Sequence, residues 1–155
     1  MRHKGWVFDA LGLIFIRADL EEVAAKAEAG YPEEVCGLAL GPAQGPGIDH
    51  WVWIANVHPD PGRAFTLHEQ EHLRALMRAD ALNLAVKVLC HSHIDGPPTL
   101  SWRDRAGAVR HGIEVMPAVL HLIVSVHEGR RGSWAVHRYD PRRAEFVTRD
   151  GDGLW

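Results

Sequence analysis

A chain of 155 residues with 46% apolar side chains can bury a core of its own, and reads as one domain over 1–155 with its core at about 11–148. Charged residues make up 24% and the net charge is −3, which argues against a polyanion binder, assigns no nucleic acid partner, and excludes a disordered chain. Eleven histidines are many for this length; a metal site is one reason for them and lineage composition another.

The start, "MRHKGWVFDALGLIFIRADL", sets basic residues before an apolar stretch, as a signal peptide does. Asp9 interrupts that run and Arg17 and Asp19 end it, so 11–16 reads as a first buried strand. No stretch approaches the ~18 apolar residues of a membrane span, so no membrane partner is expected. Residues 18–30 read as a helix, with Asp19 as cap, a stripe of Leu20, Val23, Ala24 and Ala27, and Gly30 as its end. "CGLALG" (36–41) and "HWVWIANV" (50–57) are two strands of a hairpin across a Gly/Pro turn. Cys36 and Cys90 form no C-x-x-C pair and no disulfide framework, and read as reduced core thiols of a cytoplasmic protein.

After a loop at 58–65, Thr66 with Glu69 three residues on is a capping-box pattern, and Leu73, Leu76 and Met77 supply the apolar face of a second helix. Residues 83–90 form a β-rich run that ends at His91, and 94–100 is loop. A helix over 101–112 takes Ser101 as N-cap and Gly112 just past its end. Strands follow at 118–126, 132–140 and 144–150. The fold class is α/β (α+β), with helices packed on a central sheet.

Two stretches compete for a metal. "HEQEH" places His68, Glu69 and His72 in an H-E-x-x-H pattern, where two histidines share a helix face and the Glu is a general base. At this chain's histidine content that pattern arises by chance about once in twenty such sequences. The capping box puts His68 and Glu69 in a solvent-facing first turn, and only Glu114 or Glu128 is left as a third ligand.

"CHSHIDGPPTLSWRD" is more specific. His91 and His93 are two apart at the end of a strand, so both imidazoles project to one side. Ser101 and Asp104 share the first turn of a helix. Two imidazoles and one carboxylate make a three-ligand zinc set with one open position, and chance yields this spacing about once in a thousand sequences. The S-x-x-D pair is also a capping signature, so a purely structural role stays open, as does an H-x-H-x-D reading with Asp95 as ligand.

The pattern His91-Ser92-His93, Ser101, Asp104 resembles the signature of the JAMM (MPN-plus) metalloproteases, H-[ST]-H-x7-S-x2-D. "YPEEVCGLALG" resembles the family's upstream Glu before a "CGL" strand, with Glu34 the better match and Glu33 the fallback, and "AFTLHEQE" its Phe before a helix start. Ile94 and Leu100 stand where small prokaryotic members usually carry Pro, with Pro97 and Pro98 between them. The resemblance implies an MPN/cytidine-deaminase-like mixed sheet flanked by helices, and one zinc ion on His91, His93 and Asp104. It also implies Glu34 as general base then acid, and Ser101 as oxyanion donor. The implied substrate is the amide bond after the Gly-Gly tail of a ubiquitin-like or sulfur-carrier protein, laid along a strand edge near the 38–57 hairpin and the 58–68 loop. The alternatives are a non-catalytic scaffold of the same fold and a peptidase working at His68, Glu69 and His72. No oligomeric state is implied.

Overall fold

The computed structural model describes residues 7–151. Where the apolar pattern gives one strand over 11–16, the chain forms a hairpin of Val7–Ala10 (β1) and Leu13–Ile16 (β2). Leu11 and Gly12, at φ 55° and 91°, turn it back on itself. Arg17–Gly30 is α1, and its buried stripe is Leu20, Val23, Ala24 and Ala27, as the periodicity predicts. Asp19 is the third helical residue rather than a cap standing before it. Its carboxylate accepts the Ile16 N–H at 3.0 Å and the Trp51 indole N–H at 3.2 Å, tying the helix start to the sheet.

Cys36–Gly41 (β3) and His50–Ile54 (β4) form the expected hairpin. The returning strand stops before residue 57 because the Asn56 side chain organises the next turn. Its amide donates to the carbonyls of Glu34 and Ala64, and its oxygen accepts from His58 and Thr66. Thr66 is thereby held in an extended segment, so the Thr66–Glu69 capping box does not form. The helix Glu69–Ala81 (α2) starts two residues later with His68 as N-cap, whose Nδ1 accepts the Glu71 N–H at 3.2 Å. Its face is also corrected: Ala75 and Ala79 are buried, while Leu73, Leu76 and Met77 are exposed. Ala75 packs with Leu38, Ile54 and Leu89 of the sheet.

Ala85–Ile94 (β5) runs past residue 90 and carries both histidines of the H-x-H inside the strand. Trp102–Ala108 (α3) is shorter than the 101–112 helix that the pattern suggests. His111 and Gly112 both take positive φ, 53° and 75°, and close a small hairpin of Val109–Arg110 (β6) and Ile113–Glu114 (β7). Leu120–His127 (β8), Arg130–Asp140 (β9) and Glu145–Asp150 (β10) complete the chain.

The main sheet has the order β10-β9-β8-β5-β3-β4, with β5 and β8 parallel and every other pair antiparallel. The architecture is therefore a mixed α/β sheet with helices on it. One cluster gathers the β1–β2 hairpin and α1 with Val88, Cys90, Leu122 and Val124. The other gathers Leu38, Leu89, Ile54 and Val119 with Ala75 of α2. Alternate residues of β5 thus serve different clusters, and the odd-numbered ones, including His91 and His93, share a side with Leu89. Cys36 and Cys90 are free and buried, and burial pushes the Cys36 thiol up to about 12, so both are core residues. Among the described residues, no helix is long and apolar enough to cross a membrane.

Candidate metal centre

Central strand β5 and the first turn of α3 bring the site together. His91 Nε2 and His93 Nε2 lie 3.1 Å apart, His93 Nε2 lies 3.1 Å from Asp104 Oδ2, and His91 Nε2 lies 3.3 Å from Asp104 Oδ1. Ser101 is the N-cap of α3: its Oγ accepts the Asp104 N–H at 3.1 Å, and its N–H donates to Asp104 Oδ2 at 2.9 Å. The capping box and the site are therefore one device. The hydrogen bonds that start the helix also aim the carboxylate at the two imidazoles, so a structural and a chemical role coexist in the same pair.

These donors fit a metal on two counts. Ligands about 2.0–2.1 Å from a tetrahedral zinc stand about 3.3 Å apart, which is the observed spacing of the three. Protonation gives the second count. His93 Nδ1 lies 2.7 Å from the Pro97 carbonyl, which only accepts, so Nδ1 carries the proton and Nε2 of the neutral ring presents a lone pair. With Nε2 also protonated the ring donates to the Asp104 carboxylate, and with a cation bound its lone pair would take the place of that proton, so the same groups suit either state. Among the described residues, His91, His93 and Asp104 are also the one group of three His, Cys, Asp or Glu placed to hold an ion.

Electrostatics agree. Burial alone would raise the Asp104 carboxyl, but hydrogen bonds from His91 and His93 dominate and hold it well below the usual range. Burial pushes His91 down; on His93 burial is also the largest single influence, but the hydrogen bonds to Asp104 and the Pro97 carbonyl, with the charges of Asp104 and Glu34, together outweigh it and raise the group. Phe65 lies against the His91 ring with centroids 4.4 Å apart, and His91 Nδ1 is buried without a partner.

Glu34 is buried, unlike its exposed neighbour Glu33, and its Oε1 has no hydrogen-bond partner. Burial raises its pKa to about 7, with His93 and Arg103 pulling it down and Asp104 pushing it up. His93, Asp104 and Arg103 all act on this carboxyl, so it lies within electrostatic reach of the histidine–aspartate group. Its position is fixed through the backbone. The Glu34 N–H donates to the Pro61 carbonyl, and Ser92 clasps the next residue, its N–H donating to Val35 O and its Oγ accepting Val35 N–H at 2.8 Å. Ser92→Ala would strand that amide, and we expect a loss of about 1–2 kcal/mol in urea unfolding of the metal-free chain.

The rival motifs are not assembled. His68 Nδ1 is used as the α2 cap, Glu69 is exposed, and neither Glu114 nor Glu128 joins His68 and His72 in a ligand group. Asp95 accepts instead from the Tyr31 hydroxyl and the Glu128 N–H. We expect His68→Ala and His72→Ala to leave zinc stoichiometry unchanged, as metal analysis of the purified variants would report.

A cavity of about 450 Å³ adjoins the ligands, lined by Phe65, Thr66, Leu67, His72, Arg103 and His121 among others. The 58–68 loop thus contributes to it, while the 38–57 hairpin does not. His121 escapes a reading of the sequence, although its signal is present: with Ser125 it is one of two buried polar residues on one face of an otherwise apolar strand. Burial and the neighbouring His91 lower it to about 4, so it is neutral near pH 7. His137 and Asn56, which organise loops beside the site, are missed for the same reason.

Comparison with known proteins places the chain in a family. A 97-residue segment is 31% identical to a protein of Thermus thermophilus described as a "Probable TtuB-protein conjugate cleaving protease", covering 63% of this chain and 64% of that relative, which is less than two thirds of its length. Solution structures of a Desulfitobacterium hafniense protein (TM-score 0.66, 20% identity) and a Salinibacter ruber protein (TM-score 0.60, 26% identity) share the fold over 86% of each chain. The family model described as prokaryotic homologs of the JAB domain matches residues 17–137, most of the chain and both motif segments. This chain is a member of the prokaryotic JAB-domain family.

Proposed function

We propose that the protein is a zinc metallopeptidase holding one ion on His91, His93 and Asp104. Its reaction is hydrolysis of the amide bond after the C-terminal Gly-Gly tail of a ubiquitin-like or sulfur-carrier protein. The observation that carries this reading is the convergence of two imidazole nitrogens, 3.1 Å apart, on the two oxygens of one carboxylate at 3.1 and 3.3 Å, close to the spacing of ligands around a tetrahedral zinc. The description of the Thermus thermophilus relative as a protease cleaving TtuB-protein conjugates supports a protein-conjugate substrate. The free cysteines suit the cytoplasm.

Zinc, when bound, supplies Lewis acidity that acidifies an attacking water and polarises the scissile carbonyl. The chain's own groups do the rest. Glu34 Oε1 takes the proton of the water and returns it to the leaving amine, which breaks the amide and leaves a carboxylate and an amine. Ser101 Oγ accepts from Asp104 N–H and keeps its own proton, which is free to donate to the developing oxyanion. Ser101→Ala therefore costs about 10²–10³ in kcat, measured on a conjugate whose release is followed directly. The cavity beside His91 and Asp104 receives the chain next to the scissile bond.

The test is cleavage of a Gly-Gly-linked conjugate by the zinc-loaded and the chelator-stripped protein. Cleavage that needs zinc, with restoration on adding it back, is expected. Equal cleavage without metal, or none with a full complement of zinc, sinks the reading.

A further inference from the structure

The loop between the histidine pair and α3 is held carbonyl by carbonyl. Ser125 Oγ, fully buried on β8, donates to Gly96 O at 2.6 Å. His93 Nδ1 on β5 donates to Pro97 O at 2.7 Å. His137 Nε2 on β9 lies 2.9 Å from Pro98 O. Three consecutive carbonyls are therefore caught by side chains of three adjacent strands. Because a carbonyl only accepts, His137 carries its proton on Nε2, and its Nδ1 accepts the Thr148 hydroxyl at 2.8 Å. The strand registers explain the reach: His121 pairs with His137 and His137 with Thr148, which puts the three in one cross-strand row.

We propose that His137, oriented by Thr148, is a positioning residue for His93: by fixing Pro98 it fixes the Pro97 carbonyl that sets the His93 ring and its tautomer. The inference rests on reading His91, His93 and Asp104 as the ligand set. Two further facts support it. His137 is 2% exposed, and its donor is spent on a loop that contributes nothing to the apolar clusters. Proline also has no N–H, so Pro97 and Pro98 make no backbone donation that could hold this turn, and side-chain donors to its carbonyls are what remains.

The experiment measures zinc affinity by competition with a chromophoric chelator, together with the melting temperature of each metal-free variant. In His137→Phe the donor is gone and affinity falls about tenfold, the lower end of what an outer partner of a ligand contributes. In His137→Gln the side-chain N–H reaches the same carbonyl and affinity returns to within a few-fold of the original. Thr148 is exposed, so Thr148→Val folds even where His137→Phe does not, and it weakens zinc in the same direction by a smaller factor. A purely structural His137 would lower the metal-free melting temperature and leave the affinity of the folded protein alone. Unchanged affinity in folded His137→Phe or, where that variant fails to fold, in Thr148→Val overturns the proposal while leaving the ligand set intact. A parent protein that binds no zinc overturns both.

Discussion

Glu34→Gln should reduce cleavage by about 10²–10⁴ while leaving the zinc content unchanged, because it removes a proton carrier and no ligand. The substitution is nearly isosteric, and the backbone contacts that hold the segment, from Pro61, Asn56 and Ser92, do not involve the side chain. A second, opposite effect separates this from simple damage. In the metal-free protein burial raises the Glu34 carboxyl from its ordinary value, about 4.5, to about 7. A carboxyl raised on folding favours the folded state while it is protonated. Stability is lost as pH rises from the unfolded value through the folded one. By pH 8 the buried charge costs up to about 3 kcal/mol, which the neutral amide does not incur. The inactive Gln variant is thus expected to melt several degrees higher than the parent at pH 8, with the gap closing near pH 5. A variant that is inactive and less stable at both pH values would mean that Glu34 is structural.

Under the proposed function, the same group is expected to set the acid side of the pH profile of cleavage. The base must be unprotonated to act, so kcat/KM rises with pH along an acid limb. A bound cation favours the carboxylate, which places that limb below 7. In Glu34→Gln the limb should vanish from the residual rate. A limb that persists unchanged would assign the titration to another group.

What was legible in the sequence follows from which interactions are local. The grouping of His91, His93 and Asp104 was readable because two local periodicities produce it: the strand repeat that puts His91 and His93 on one side, and the helix first turn that joins Ser101 to Asp104. α1 was readable for the same reason, since its stripe points at the cluster that buries it. The face of α2 was not. Leucines at 73 and 76 and Met77 satisfy the helical pattern, yet Ala75 and Ala79 are the residues buried, a choice made by tertiary packing that local periodicity does not carry. The start of α2 was lost to a remote residue, Asn56, whose side chain holds Thr66 in extended backbone. Glu34 shows the limit most clearly. A carboxylate before a strand has no local signature, and only the family pattern singled it out. Its burial is produced by contacts to residues 56, 61 and, through Val35, 92.

Removing the charge at Asp104 should separate ligation from folding. In Asp104→Asn one carboxamide oxygen can still accept the Ser101 N–H, so the capping box that starts α3 survives. With that oxygen committed, the amide nitrogen occupies the position of Oδ1, 3.3 Å from His91 Nε2, and presents N–H donors where an anionic ligand stood. Two imidazoles alone do not make a closed site for the ion. Zinc affinity should then fall by more than the roughly 10–100-fold seen for loss of an outer partner, and cleavage should fall with it. Asp104→Ala loses the same ligand and the cap as well, so it should bind zinc as poorly and in addition unfold more easily by about 1 kcal/mol. Chelator competition and urea unfolding of the two variants check both halves. Asn and Ala are expected to be alike in zinc and to differ in stability. Zinc held as tightly by Asp104→Asn as by the parent would remove Asp104 from the ligand set and leave it as the helix cap alone.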